Sequence, residues 1–87
     1  MTARDQLNVA LAAVLSTLHA TPGGEAPQGI LAVGLLQLPE VSFETVRSLL
    51  VAAGLVECRG DRMRITERGR EMAKRVDDAM SRTRGEM

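Results

Sequence analysis

Apolar residues recur along this chain at two spacings, which predict four helices and one pair of strands. Between residues 4 and 20, apolar side chains fall on one helical face at intervals of three and four positions. These side chains are Leu7, Leu11, Val14, Leu15 and Leu18. The opposite face is apolar as well, with Val9, Ala12 and Ala13. A helix with two apolar faces must be covered on more than one side, so we expect either a partner subunit against it or a position at the centre of the core.

Proline residues set the limits of a second helix, predicted over residues 27–37. Pro27 fits the first turn of a helix, where its missing N–H costs nothing, and Pro39 prevents continuation. The apolar residues of this helix are Ile30, Leu31, Val33, Leu35 and Leu36. Gly29 and Gly34 weaken a helix, so we expect them to allow close packing against a neighbouring helix. The sequence predicts that this helix is scaffold.

The third helix, predicted over residues 42–54, has the clearest ends in the chain. Ser42 can cap its first turn, and Gly54 can adopt the left-handed conformation that ends a helix. The residues expected to point inward are Phe43, Val46, Leu49, Leu50 and Ala53. Those expected to point outward are Thr45, Arg47, Ser48 and Ala52. The outward face is therefore made of small side chains and one arginine.

Residues 55–66 predict a β-hairpin with Gly60-Asp61 as its two-residue turn, because glycine suits the first position of such a turn. The turn pairs Arg59 with Arg62, Cys58 with Met63, Glu57 with Arg64 and Val56 with Ile65. Apolar residues and Cys58 then share one face of the hairpin, and charged residues share the other. We therefore expect Cys58 to be a small core residue.

Thr66 can cap a last helix, predicted over residues 67–80. Its inward residues are expected to be Met72, Ala73, Val76, Ala79 and Met80. Residues 81–87 are expected to fray. A chain of 87 residues builds one core, so the sequence predicts one domain over residues 1–87, mainly α-helical with a small β-hairpin.

Composition argues against several classes of function. Phe43 is the only aromatic residue, so the chain lacks the stacking platforms that RNA and single-strand binders use. The single cysteine, Cys58, and the single histidine, His19, favour neither a disulfide nor a zinc site. We find no glycine-rich phosphate loop and no nucleophile with a base beside it. The expectation is a protein that is not an enzyme and uses no cofactor or metal.

Charge is balanced over the whole chain but divided unevenly along it. Residues 1–58 carry two basic and five acidic side chains, whereas residues 59–87 carry nine basic and six acidic ones. A local basic surface of this kind permits phosphate binding on a protein with no net charge. No apolar run reaches the length of about 18 residues that a membrane span needs, so we expect no membrane association and a cytoplasmic location.

The order of these elements resembles the winged helix-turn-helix domain of small bacterial and archaeal transcription regulators of the MarR and PadR kind. The resemblance rests on Ala53-Gly54-Leu55-Val56-Glu57 at the end of the third helix. It rests also on Ile65-Thr66-Glu67-Arg68-Gly69-Arg70-Glu71 after the hairpin. It implies a winged helix-turn-helix fold with three helices, a two-stranded wing and a C-terminal helix.

The resemblance also implies double-stranded DNA as the partner, with the third helix in the major groove and the wing on phosphates. The residues that would face base edges are then Thr45, Arg47 and Ser48. The residues that would meet phosphates are Arg59, Arg62 and Arg64, with Arg68 and Arg70 extending that rim. A homodimer through helix 1 and the C-terminal helix would present two third helices to one palindromic site.

Two alternatives stay open at this point. Arg59 and Arg62 face each other across the turn, where like charges destabilise a hairpin unless an anion binds them. They can equally extend into water, as surface charges usually do. A winged helix can also serve as a protein-protein interaction module without DNA binding, and the zero net charge together with the apolar first helix favours that second function.

Overall fold

The computed structural model describes residues 2–85, with side chains described for residues 2–79. Within residues 2–85 the chain forms four α-helices: α1 (Ala3–Ala20), α2 (Gln28–Gly34), α3 (Phe43–Ala52) and α4 (Glu67–Gly85). It also forms three short strands: β1 (Glu25–Pro27), β2 (Val56–Arg59) and β3 (Arg62–Ile65). The predicted fold class, mainly helical with a small amount of β-structure, is confirmed.

The sheet is antiparallel and has the strand order β1-β3-β2. The register predicted for the hairpin is confirmed, with Arg59 paired with Arg62 and Val56 paired with Ile65. The prediction of two strands was wrong, because β1 pairs along the other edge of β3, with Ala26 opposite Met63. Pro27 ends this third strand and caps α2, so α2 is shorter than the predicted helix at both ends.

Local signals determine where the other helices begin and end. The Ser42 hydroxyl accepts a hydrogen bond from the Thr45 amide at 3.3 Å, which satisfies a free donor of the first turn of α3. Gly54 adopts a φ of 74° after α3, as the helix end requires. α4 continues to Gly85, beyond the predicted end at residue 80, and residues 86–87 of the predicted tail lie outside the described residues.

The junction between β2, β3 and α4 is tightly built. The Leu55 carbonyl accepts a hydrogen bond from the Thr66 amide at 3.0 Å. The Thr66 hydroxyl donates to the Gly54 carbonyl at 2.6 Å and accepts from the Gly69 amide at 3.1 Å. The Cα atom of Gly69 lies against the Leu55 carbonyl, so that a Cβ atom there would overlap the carbonyl oxygen. The start of α4 thus lies on the backbone that follows α3.

Helix α1 is the central helix of the core and packs against α3, β3 and α4. The buried side chains of the first three helices, together with Leu35 directly after α2, are Ala10, Val14, Leu15, Leu18, Leu31, Leu35, Val46 and Leu50. Those of the sheet, the segment before it and α4 are Ala26, Leu55, Val56, Met63, Ile65 and Ala73. The apolar faces of α1 were expected to be covered either by a partner subunit or by a central position in the core. The central position covers most of the apolar side chains of α1, while Val9 remains 45% exposed.

Several apolar residues lie at the surface. The exposed fractions are 64% for Ile30 and 65% for Val33 on α2, and 78% for Leu36 just after α2. Of the residues predicted to point inward, Leu49 and Met72 are exposed by 42% and 37%, Ala53 and Ala79 are exposed, and the side chain of Met80 lies outside the described ones. No atom lies within 4 Å of a Cβ placed at Gly29 or Gly34, so the predicted close packing at these glycines was wrong for helices of this chain.

None of the helices in the described part of the chain is both long enough and apolar enough to span a membrane.

Candidate nucleic-acid interface

The outward face of α3 carries mostly short side chains. Thr45, Ser48 and Ala52 are exposed, and Arg47 is partly buried between them. Val51 adds an apolar contact surface with 45% exposure. This face would allow another molecule to approach the α3 backbone closely, and Arg47 is its one long cationic side chain.

Gln28, at the start of α2, joins this face of α3 to the turn of the hairpin. Its backbone amide donates to the Asp61 carbonyl at 2.7 Å. Its side-chain Nε2 lies 3.0 Å from the Gly60 carbonyl oxygen and 3.2 Å from that of Arg62. Its Oε1 accepts from Arg47 Nη1 at 3.2 Å. Gln28 thus contacts both residues of the turn, the first residue of β3 and the arginine of α3.

Arg47 has a second neighbour on its own helix. Its Nη2 lies 3.7 Å from Glu44 Oε1, where the side chain of Arg47 is 38% exposed and that of Glu44 is 82% exposed. An exposed pair at this distance is weak, because water screens both charges. Glu44 therefore orients the arginine without holding it firmly.

A groove runs between α3 and the hairpin. Its lining residues are Gln28, Arg47, Ser48, Val51, Ala52, Cys58 and Gly60. Cys58 is exposed here, so the prediction that it is a core residue was wrong. It lies on the predicted face of the hairpin, but β2 is an edge strand and only Val56, farther from the turn, is buried.

The opposite face of the hairpin carries the arginines predicted to contact phosphate. Arg59 and Arg62 are paired across the two strands beside the turn. Arg62 is paired with a residue the sequence analysis did not identify, because its Nε lies 3.4 Å from Glu25 Oε2 on β1, and this partly exposed carboxylate offsets part of its charge. Among the described residues, no hydrogen bond or ion pair is found for the Arg59 side chain, which leaves its charge available.

Arg64 and Arg70 lie together at a second location. They line a polar hollow with Glu57, Thr66 and Glu67, and in the sheet Arg64 stands between Glu57 on β2 and Glu25 on β1. Arg70 is half-buried, and its guanidinium covers Gly24. The nearby carboxylates offset both arginines, so this hollow is a less favourable place for a phosphate than the hairpin tip.

Arg68 is exposed at the first turn of α4, near Gly54. Of the eight residues predicted to bind DNA, Arg47 and Ser48 line the groove, with Thr45 exposed on the same helix. Arg59 and Arg62 flank the turn on the opposite face of the hairpin and do not line the groove, to which the tip contributes Gly60. The structure does not bring Arg64, Arg68 and Arg70 into this groove.

Sequence reasoning missed Glu25 and Gln28. Glu25 lies in the segment between the first two predicted helices and Gln28 at the start of the second, and their partners in the hairpin are distant in sequence. The one available signal was that Gln28 is a polar residue at the start of an otherwise apolar helix. Contacts of this kind depend on tertiary structure, so a local sequence pattern cannot predict them.

No cluster of three or more histidine, cysteine, aspartate or glutamate side chains that could hold a metal ion occurs among the described residues. No family model, curated protein or solved structure matches this chain.

Proposed function

We propose that this chain is a winged helix-turn-helix domain that binds double-stranded DNA and acts as a small transcription regulator. In this proposal α3 enters the major groove and the hairpin, as the wing, contacts the phosphate backbone. The order of elements supports it, with three helices, a hairpin directly after α3 and a helix after the hairpin. The third strand, β1, anchors the hairpin to the rest of the domain through β3.

One observation carries the proposal: the exposed face of α3 and the hairpin tip are joined through Gln28 and border one groove. A single rigid ligand can therefore contact both. The small residues on α3 favour close approach to a major groove about 12 Å wide. Arg59 at the tip supplies a cationic side chain suited to a phosphate.

The first test is the salt dependence of binding to a fluorescent random-sequence duplex, followed by anisotropy at about 50 mM and about 200 mM salt. We expect Arg59→Ala to weaken binding at low salt by about tenfold, which corresponds to the loss of one charge-assisted contact of roughly 1.5 kcal/mol. The slope of log affinity against log salt should fall by about one. Arg62→Ala should have a smaller effect, because Glu25 already offsets that charge.

Glu25→Gln provides a control that should change duplex affinity in the opposite direction. It removes the carboxylate beside Arg62 and should strengthen duplex binding, with a steeper salt dependence. Unchanged affinity and slope in both Arg59→Ala and Glu25→Gln would exclude the hairpin as a phosphate contact. If the wild-type chain fails to bind the duplex even at low salt, the DNA-binding proposal is wrong.

A homodimer through α1 and α4 remains part of the proposal. Within the chain these two helices pack on each other, and with the end of α3 they leave an apolar groove at the surface. The groove is lined by Asn8, Leu11, Ala12, Leu15, Leu49, Leu50, Ala53, Leu55, Met72 and Val76. A two-fold partner seated there would remove apolar surface from water.

A protein-interaction module is the second candidate function, and the exposed face of α2 favours it. Ile30 and Val33 are exposed on α2 and border one hollow, Leu36 is exposed just after α2, and no charged residue occurs between Gln28 and Leu38. Clusters of exposed apolar side chains often mark contacts with other proteins. In this candidate the chain would bind another protein and leave duplex DNA unbound.

Sedimentation equilibrium of two matched variants shows whether a homodimer forms through the α1 and α4 groove or through the exposed face of α2. If the dimer forms through α1 and α4, Met72→Glu should weaken it at least tenfold, because the interface would then bury an unpaired charge. Val33→Glu on α2 should leave the dimer unchanged. The reverse pattern would assign the interface to α2, and a wild-type monomer at all concentrations would exclude the homodimer.

A further inference from the structure

The hydrogen bonds of Gln28 determine what this residue can contribute to a bound duplex. Its Nε2 is used by the carbonyls of Gly60 and Arg62, and its Oε1 is used by Arg47. A glutamine side chain has two donor hydrogens and an acceptor oxygen with two lone pairs, so both donors and one lone pair of this amide are already used within the protein. Gln28 therefore has no free donor for a base edge, and its contribution acts mainly through the groups that it holds.

Arg47 is in the opposite situation. A guanidinium carries five N–H donors in a planar fork. The contact with Gln28 uses Nη1, and Nη2 lies 3.7 Å from Glu44 Oε1 in an exposed pair that water screens, so a bound base can displace Glu44. Arg47 borders a groove whose other α3 residues are short: Ser48, Val51 and Ala52. Arg47 is thus the one long hydrogen-bond donor of α3 beside this groove, and Gln28 fixes one edge of its fork.

We infer that Arg47 recognises a guanine in the major groove and that Gln28 is the positioning residue that orients it. The inference rests on the proposed DNA binding and adds the base that the site selects. An arginine fork donates to the O6 and N7 atoms of guanine, and no other base presents that pair of acceptors in the major groove. An arginine held in place before binding loses less conformational entropy when it makes this contact.

The contacts of Gln28 with the hairpin extend its role. By holding the carbonyls of Gly60 and Arg62, it fixes the hairpin tip relative to Arg47. The phosphate contacts of the tip then set the depth at which Arg47 meets the base edge. Loss of Gln28 should therefore reduce discrimination between bases more than it reduces total affinity.

The experiment is selection of bound duplexes from a randomised library, followed by sequencing, with salt-dependent binding to the unselected library measured in parallel. Wild-type protein should enrich a guanine at a fixed position by about tenfold or more, the discrimination expected of a bidentate contact. Arg47→Lys keeps the charge but loses the planar fork. Because a lysine ammonium can still donate to guanine O6 or N7, this variant should weaken the preference and keep the salt slope. Gln28→Met, which removes both ends of the amide at similar length, should reduce the preference several-fold.

Two further measurements separate positioning from general damage. Amide hydrogen exchange in the free protein should be faster at residues 60–62 in Gln28→Met and unchanged there in Arg47→Lys. Arg75→Ala removes a charge from an exposed position of α4 and should leave the guanine preference unaltered. Because Arg47→Lys keeps a long cationic side chain, it tests the role of Arg47 even if Gln28→Met folds poorly.

The outcomes distinguish this inference from the proposal beneath it. Absence of duplex binding by the wild type overturns the proposed function. Duplex binding without a base preference, or with a guanine preference undiminished in Arg47→Lys, overturns the role of Arg47 and leaves DNA binding intact. A preference weakened in Arg47→Lys but unchanged in folded Gln28→Met overturns the positioning role of Gln28 alone.

Discussion

Gly69→Ala is expected to lower the free energy of unfolding by about 3 kcal/mol or more, the upper range for overpacking a core. The new methyl group would overlap the Leu55 carbonyl oxygen and the Ile65 side chain. The carbonyl cannot shift freely, because it accepts the hydrogen bond from the Thr66 amide. Relief therefore requires α4 to move away from the sheet. Urea unfolding followed by circular dichroism measures the loss.

Gly29→Ala is the matched control. Gly29 is also helical, and a Cβ atom there meets nothing within 4 Å. Alanine should stabilise this position by about 0.5–1 kcal/mol, because it restricts the unfolded chain more than glycine does. Equal stability of Gly69→Ala and wild type would show that α4 does not approach the Leu55 backbone as described.

Met63→Ala is expected to destabilise the domain by about 2–5 kcal/mol, the cost of removing a large buried side chain and leaving a cavity. Met63 is fully buried at 0% exposure, and its strand, β3, is the central one of the sheet. Strands on both sides and helix α1 prevent the surrounding residues from closing over the gap. Thermal and urea unfolding should report the same loss.

Cys58→Ala tests the same face of the sheet one strand away. Cys58 is the direct cross-strand partner of Met63, yet it is exposed. Its replacement should change stability by no more than about 0.5 kcal/mol, as for most surface positions. A large loss in Cys58→Ala, or a negligible loss in Met63→Ala, would contradict the burial described for this sheet.

Cys58 and Met63 also show which properties of a strand residue the sequence predicts and which it does not. Alternation along the hairpin predicted that Cys58 and Met63 share a face, and the register confirms it. Alternation could not predict that the core covers Met63 and ends before Cys58, because burial depends on which elements lie above each strand. The same holds for Leu49 and Met72 on helices. Both belong to an apolar stripe and are exposed, because such a stripe can be wider than the surface that covers it.

Helix limits were predictable where local chemistry determines them. Ser42 and Gly54 bound α3 through a hydrogen bond and a backbone conformation that involve only neighbouring residues. Strand β1 was not predictable in this way. It has three residues and ends in proline, and its pairing is with a strand near the other end of the chain.

The same distinction applies to the candidate site. The arginines of the hairpin tip and the outward face of α3 followed from turn geometry and helical periodicity. Glu25 and Gln28, which pair with Arg62 and connect the turn to Arg47, followed from neither. Their roles arise because β1 and the start of α2 lie beside the hairpin in space.

The pairing of β1 with β3 also bears on the order in which a ribosome can produce a folded domain. The hairpin is local in sequence and can form once β3, which follows its turn, has been synthesised. β1 emerges much earlier, but its pairing partners, residues 62–64, are made only after α3 and β2. Until then the nascent chain carries an unpaired strand and the uncovered apolar face of α1, the kind of surface that chaperones bind. Translation of the last third of the chain is thus the step that permits the domain to close.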